Sequence, residues 1–247
     1  MKKRLLAASA ALVMATGVAY ATTQAFPDGF NNLPNSHWMR GRDKLTMPVP
    51  QRDYQWFDDF FKYTAGDWVV TEVSDSTQAL ADANGGELVL TTLTTEDDAA
   101  HLQSVGEIFT FASGKEAYFE TRLHIGEITQ SDFVVGLQVR DTTPLAVADG
   151  VYFQKDDGDA LLDFHSMSGS ADTASTGVHT MVASTYVKLA FYYDGATTIT
   201  YAIDDVVGGS ITATPTAVEL TMSFGVQAGA TGAEVLTVDY IHFWRER

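Results

Sequence analysis

Residues 117–165 constrain the fold most, because they read as four consecutive strands, each with one apolar and one polar side. In AYFETRLHI, Phe119, Thr121, Leu123 and Ile125 alternate with Tyr118, Glu120, Arg122 and His124. In SDFVVGLQVR, Phe133, Val135, Leu137 and Val139 alternate with Val134, Gly136, Gln138 and Arg140. GVYFQKDD and ALLDFHS follow, joined across Asp156-Asp157-Gly158-Asp159, a run of turn formers. Side chains on a strand point to opposite faces in turn, so such alternation predicts antiparallel sheet with one face buried. Taken as one sheet, these strands would gather Glu120, Arg122, His124, Gln138, Arg140, Gln154, Asp163 and His165 on a shared polar face. That face is a candidate glycan-facing surface. A solvated sheet exterior is the plainer reading of the same residues.

Further strands are expected at WVVTEV, ELVLTTL, TMVAS, VKLAFYYD, TTITYAID, VELTMSFGVQA and VLTVDYIHFWRER. Asp194-Gly195 predicts a hairpin with a type I′ turn, which needs positive φ at both central residues. No amphipathic helix, heptad or repeat is evident. Short strands punctuated by Gly, Asp and Thr predict an all-β fold over residues 56–247, an antiparallel two-sheet sandwich. Phe119, Leu123, Phe133, Val135, Leu137, Leu189, Phe191 and Phe224 hold the apolar phase and are the expected core.

Two segments precede this domain. Residues 1–21 have a basic start (Lys2, Lys3, Arg4), an apolar run over 5–18 and small Ala19 and Ala21 before Thr22, the three parts of a secretory signal. The run is too short for a comfortable membrane span. Residues 22–55 hold Pro27, Pro34, Pro48 and Pro50, which predict an extended, irregular arm. Phe26, Phe30 and Trp38, with Arg40 and Arg42, make it a candidate assembly arm that contacts another subunit.

The chain has no cysteine, which excludes disulfides, thiol nucleophiles and Cys-ligated zinc. Its net charge is −17, from 32 Asp and Glu against 15 Lys and Arg. A surface so acidic repels phosphate backbones, so nucleic acid is not an expected partner.

The order of segments resembles the concanavalin A-like lectin and glucanase jelly roll. KEAYFETRLHI is similar to that family's core strand, VKLAFYYDGATTITYAIDD to its hairpin and VDYIHFWRER to its closing strand. A second resemblance lies in SDFVVGLQVRDTTPLAVADGVYFQKDDGDALLDFH, with WFDDFFKY and VTEV upstream. This block is similar to a family of bacteriophage structural proteins common in marine phage. That resemblance implies a non-enzymatic virion component, a capsid decoration protein or head fibre, whose partners are other virion proteins or copies of itself. The alternative is an exported, lectin-like carbohydrate-binding module, secreted or periplasmic if residues 1–21 are removed, with surface glycans as partners.

Catalysis is weighed on residue types. Glucanases of this fold use an E-x-D-x-x-E strand, since glycoside hydrolysis needs two carboxyl groups across the scissile bond. SDFVVGLQVRD has Val and Gly where those carboxylates are required, so no hydrolase is expected. Arg122, His124, Gln138 and Tyr152 are the types that alginate-type lyases of this fold use, but the R-[TS]-E-L-R and Q-I-H strings are missing. A polysaccharide lyase is therefore a distant third reading. Arg122 with Glu120, and Arg140 with Asp163 or Glu120, would serve equally as cross-strand ion pairs. Asp97-Asp98 and Asp156-Asp157-Gly158-Asp159 lack the spacing of a calcium loop, and the histidines form no zinc pair, so neither metal nor cofactor is expected. Tyr192, Tyr193, Tyr201, Phe224, Tyr240, Phe243 and Trp244 are expected in the core or in cross-strand pairs rather than as a sugar platform.

Overall fold

The computed structural model describes residues 53–83 and 85–247. The expected signal segment lies outside them, as do Phe26, Phe30, Trp38, Arg40 and Arg42 of the arm.

Fifteen strands are described: β1 (Asp53–Asp58), β2 (Trp68–Val73), β3 (Thr77–Ala81), β4 (Glu87–Thr91), β5 (Ala99–Ser104), β6 (Ala117–Ile125), β7 (Ser131–Gln138) and β8 (Gly150–Lys155). β9 (Leu161–Ser168), β10 (Ala171–Thr180), β11 (Val187–Tyr193), β12 (Thr198–Ile203), β13 (Val206–Thr212), β14 (Thr221–Ala228) and β15 (Val235–Glu246) complete the set. Two short 3-10 turns, Ala65–Asp67 and Pro144–Ala146, are the helical elements among the described residues. No described helix is long and apolar enough to cross a membrane.

The strands form two antiparallel sheets. One runs β13-β12-β11-β6-β15-β4-β3, with β1 paired to the second half of β15. The other runs β10-β9-β8-β7-β14-β5-β2. This is the expected jelly-roll sandwich. Its inner faces close on one continuous core that includes all eight residues assigned to it from the alternation. Phe119 stacks on Phe191 across β6 and β11 at 5.0 Å, and Phe224 meets Trp68 edge-on at 5.2 Å. Each such side chain, moved from water to the core, contributes roughly 1.5–3 kcal/mol.

Some local expectations are corrected. The strand near residue 180 is β10, which ends at Thr180, so only the first residue of TMVAS is in it. β1 takes in residues 53–55, the last three of the expected arm. Asp194-Gly195 does join a hairpin, but through the four-residue loop 194–197, in which Gly195 has a positive φ and Asp194 does not. Asp194 Oδ1 accepts hydrogen bonds from the N–H groups of Ala196 (2.8 Å) and Thr198 (3.0 Å), so the carboxylate organises the loop. The two-residue turn with positive φ at both centres is Asp204-Asp205, at 48° and 65°, which joins paired Ile203 and Val206.

The chief correction concerns the polar face. β6 belongs to the eight-stranded sheet, whereas β7, β8 and β9 belong to the seven-stranded sheet. Alternation fixes which side of a strand is polar but not which sheet the strand joins. The connection 126–130 carries the chain across the sandwich, so the eight polar residues never share one face.

Candidate functional site

The two outer faces must therefore be built separately. On the eight-stranded sheet, β6 presents Tyr118, Glu120, Arg122 and His124 between β11 and β15. Glu120 accepts hydrogen bonds from the Tyr118 and Tyr240 hydroxyls, the latter at 2.6 Å. Arg122 pairs with Asp239 at 2.5 Å, not with Glu120, and its guanidinium lies 3.8 Å from the Tyr186 ring centroid. The Tyr186 hydroxyl donates to Glu87, and His124 meets the same ring edge-on at 4.6 Å. Burial lowers the pKa of both His124 and His242, with Glu87 and Glu120 partly opposing the shift. Glu87, Glu120 and Arg122 of this face each have a partner, while His124 Nδ1 and Trp244 Nε1 are buried without a hydrogen bond. The face is chiefly a hydrogen-bonded and ion-paired network, with the ring of Phe57, 55% exposed, beside Tyr240 and His242.

On the seven-stranded sheet, the outward phase of β7, β8 and β9 supplies Gln138, Tyr152, Gln154, Asp163 and His165. Gln138 is fully buried and not glycan-facing. It accepts from Ser223 Oγ at 2.6 Å and donates to the Pro144 carbonyl at 2.9 Å, holding the connection 139–149 over one end of the sheet. Leu145 and Val147 of that connection pack on Val134 and Tyr152. Arg140 sits in the same connection and pairs with Glu107 at 3.4 Å, so the expected contacts to Asp163 or Glu120 do not form.

Tyr152 is itself buried under this cover, at 3% exposure, and the face opens only past it. Tyr152 and His165 are cross-strand partners, their rings stacked with centroids 5.3 Å apart and planes 18° from parallel. His165 Nδ1 lies 3.0 Å from Asp172 Oδ2 on β10, which fixes the imidazole in its plane. Burial, together with Asp172 and Asp156, pushes the Tyr152 phenol far above its usual range, so it stays protonated. Gln154 is the cross-strand partner of Asp163 and donates to Asp156 Oδ1 at 2.7 Å. Asp163 Oδ1 accepts from the Gly177 N–H at 2.7 Å, where β10 departs from regular pairing between Ser175 and His179.

That irregularity opens a pocket of about 440 Å³, lined by Asp156, Asp157, Asp159, Leu161, Asp163, Thr176 and Gly177. Asp132, at the base of the same end, has its carboxyl pKa raised by burial and by the neighbouring Asp157 and Asp156. Among the described residues no three His, Asp or Glu side chains converge as a metal-binding group. The arrangement can accept hydrogen bonds from several hydroxyls at once, and a histidine oriented by a carboxylate can take up and return a proton. Asp172, Thr176 and Gly177 were missed in the sequence because β10, rich in Ser, Thr, Ala and Asp, carries no hydrophobic alternation.

No protein-family model matches the sequence, and no curated protein matches it either. Solved structures do. An endo-1,3-β-glucanase from Streptomyces sioyaensis overlays with a TM-score of 0.59 at 12% identity, covering 81% of this chain and 98% of that one. An endo-β-1,4-glucuronan lyase from Trichoderma reesei gives 0.56 at 11% identity, over 76% and 94% of the two chains. A protein of unknown function from Shewanella oneidensis MR-1 gives 0.57 at 15% identity, over 84% and 95%. At such identities the likeness establishes the concanavalin A-like jelly-roll fold. None of these three structures is described as a virion component, and the phage resemblance gains no support from them. The expectation of a chain without enzymatic activity is corrected: this architecture carries hydrolytic and lytic enzymes, so absent sequence strings are no ground for denying activity.

Proposed function

We propose that this chain is a carbohydrate-active protein that binds a neutral polysaccharide on the outer face of its seven-stranded sheet. The acidic pocket, with the part-exposed His165 held by Asp172 two residues along β9 from Asp163, carries this reading. Sugar hydroxyls donate to carboxylates, which this pocket supplies, and the part-exposed ring of His165 offers a plane for the apolar face of a sugar. Its charge chooses between polymers. Asp156, Asp157, Asp159, Asp163 and Asp172 surround the stack or line the pocket, and no lysine or arginine lines it. A uronate chain would meet like charge at each sugar, whereas a neutral glucan would not. Export directed by residues 1–21 would bring the domain to such polymers.

The test is isothermal titration of the full chain with a soluble β-glucan and, separately, a polyuronate, with reducing-end release followed in parallel. The glucan is expected to bind and the uronate not, with affinity falling at least tenfold in His165→Ala and in Asp163→Asn. Reducing-end release lost in His165→Ala would make the His165–Asp172 pair catalytic. Absence of glucan binding, or a preference for uronate, would overturn the reading.

A further inference from the structure

Among the described residues Lys155 is the only lysine or arginine that is buried, and no part of it reaches solvent. It ends β8 in the inward phase, after Val151 and Phe153, so its side chain runs between the sheets towards the end of the sandwich. There Nζ donates to the Ser131 carbonyl at 2.6 Å and to the Asp156 carbonyl at 3.0 Å. The second contact lies under the turn 156–160, whose acidic side chains line the pocket of the glycan site.

Two further bonds tie this turn down. The Asp157 N–H donates to Asp132 Oδ1 at 2.6 Å, and the Gly158 N–H to the Thr129 carbonyl at 2.6 Å. Its back rests on Gly229, where a Cβ would stand 2.3 Å from Asp157 Cβ. A buried ammonium is costly even when hydrogen-bonded, and an apolar side chain of similar length would fill the inward position at lower cost. Stability of the core therefore does not account for a lysine here. Its placement beneath a turn crowded with carboxylates does, since it bonds the Asp156 carbonyl and lies within electrostatic reach of Asp132, Glu127, Asp157, Asp159 and Glu234.

We propose that Lys155 is a positioning residue for the glycan site, holding the 156–160 turn from beneath so that Asp156, Asp157 and Asp159 line the pocket together. It touches no ligand. The inference rests on the glycan reading for its consequence but not for its geometry, and the two separate experimentally.

The experiment compares the full chain with Lys155→Met and Lys155→Arg, measuring thermal unfolding, amide hydrogen exchange and β-glucan affinity. In Lys155→Met the melting temperature is expected to hold or rise, while the Asp157 and Gly158 amides exchange at least tenfold faster and affinity falls about tenfold. Lys155→Arg should recover part of both, since it keeps the charge. Turn amides at the wild-type rate in Lys155→Met would overturn the proposal. So would a lower melting temperature with protection lost evenly through both sheets, because Lys155 would then simply hold the core. If the unsubstituted chain binds no glucan, the reading of the site fails alone, and the turn amides still decide the role of Lys155.

Discussion

The outer faces of the two sheets use similar residues to opposite ends. On the eight-stranded sheet every charge described has a neighbour of complementary character: Glu120 takes two phenols, and Arg122 takes Asp239 and the Tyr186 ring. On the seven-stranded sheet the bonds are spent at one end, where Gln138 and Ser223 fasten the connection 139–149, and carboxylates accumulate at the other. A polar face becomes a site when its groups are left with capacity for a ligand. Counting polar residues does not reveal that, whereas tracing each hydrogen bond does.

Histidines give the largest contrast between the faces. His101 lies on the seven-stranded sheet, packed so closely on Gly225 that a Cβ there would sit 2.1 Å from its Nδ1. Burial alone lowers its pKa to about 4, with no carboxylate opposing, unlike His242 with Glu120. Below pH 6.5 the unfolded chain binds a proton that the folded chain refuses until about pH 4, so stability falls as the pH drops through that window. The loss amounts to about 3 kcal/mol on an order-of-magnitude basis. Urea unfolding of the parent and of His101→Asn at pH 7 and pH 4 should show a smaller pH-dependent loss in the variant by that amount. Equal losses would mean that His101 is not what makes this face acid-sensitive.

The next effect separates structure from function. Glu120→Gln leaves two phenols sharing a weaker acceptor and should cost about 1–3 kcal/mol in folding, with glucan affinity unchanged within twofold. His165→Ala, removing a part-exposed ring, should cost about 1 kcal/mol or less in folding while lowering affinity at least tenfold. Chemical unfolding and titration calorimetry on both variants decide it. Should Glu120→Gln abolish binding while His165→Ala spares it, the faces have been assigned the wrong way round.

The sandwich was legible because its central strands alternate large apolar residues such as Phe119, Phe133 and Phe224 with polar ones, and burial enforces that pattern. Strands lacking it went unread. β5 (AAHLQS) is buried over most of its length but holds small and polar residues, and β3, β10 and β13 are largely exposed strands in which small and polar residues break any run of alternating large apolar ones. The candidate site was half legible for the same reason. Gln154, Asp163 and His165 stand on well-patterned strands, whereas Asp172 and Gly177 stand on β10. Nothing in the alternation says that β6 and β7 lie in different sheets, so Arg122 and His124 were grouped with Gln138 and Tyr152. Sheet membership is fixed by which strands pair across the core, a long-range property of the whole chain.

The smallest effects concern two arginines once expected on a single face. Arg122 is 40% exposed, and its ion pair with Asp239 is joined by the contact with Tyr186. Arg140, 36% exposed, has a longer pair with Glu107 and donates to the Val105 carbonyl at 2.8 Å. Exposed pairs contribute about 0.2–1 kcal/mol, and a stacked guanidinium adds about 0.5–1 kcal/mol. Arg122→Ala should therefore destabilise by about 1 kcal/mol, and Arg140→Ala by about half of that or less. Salt separates the contributions further. At about 1 M ionic strength the Debye length shrinks to roughly 3 Å, so the ion-pair share should fade while the ring contact of Arg122 persists. Thermal unfolding of both variants in low and high salt gives the comparison. If Arg140→Ala proves the costlier at both salt concentrations, the connection 139–149 is secured by Arg140 more than by Gln138. The closed end of the seven-stranded face would then owe its order to charge instead of to buried amides.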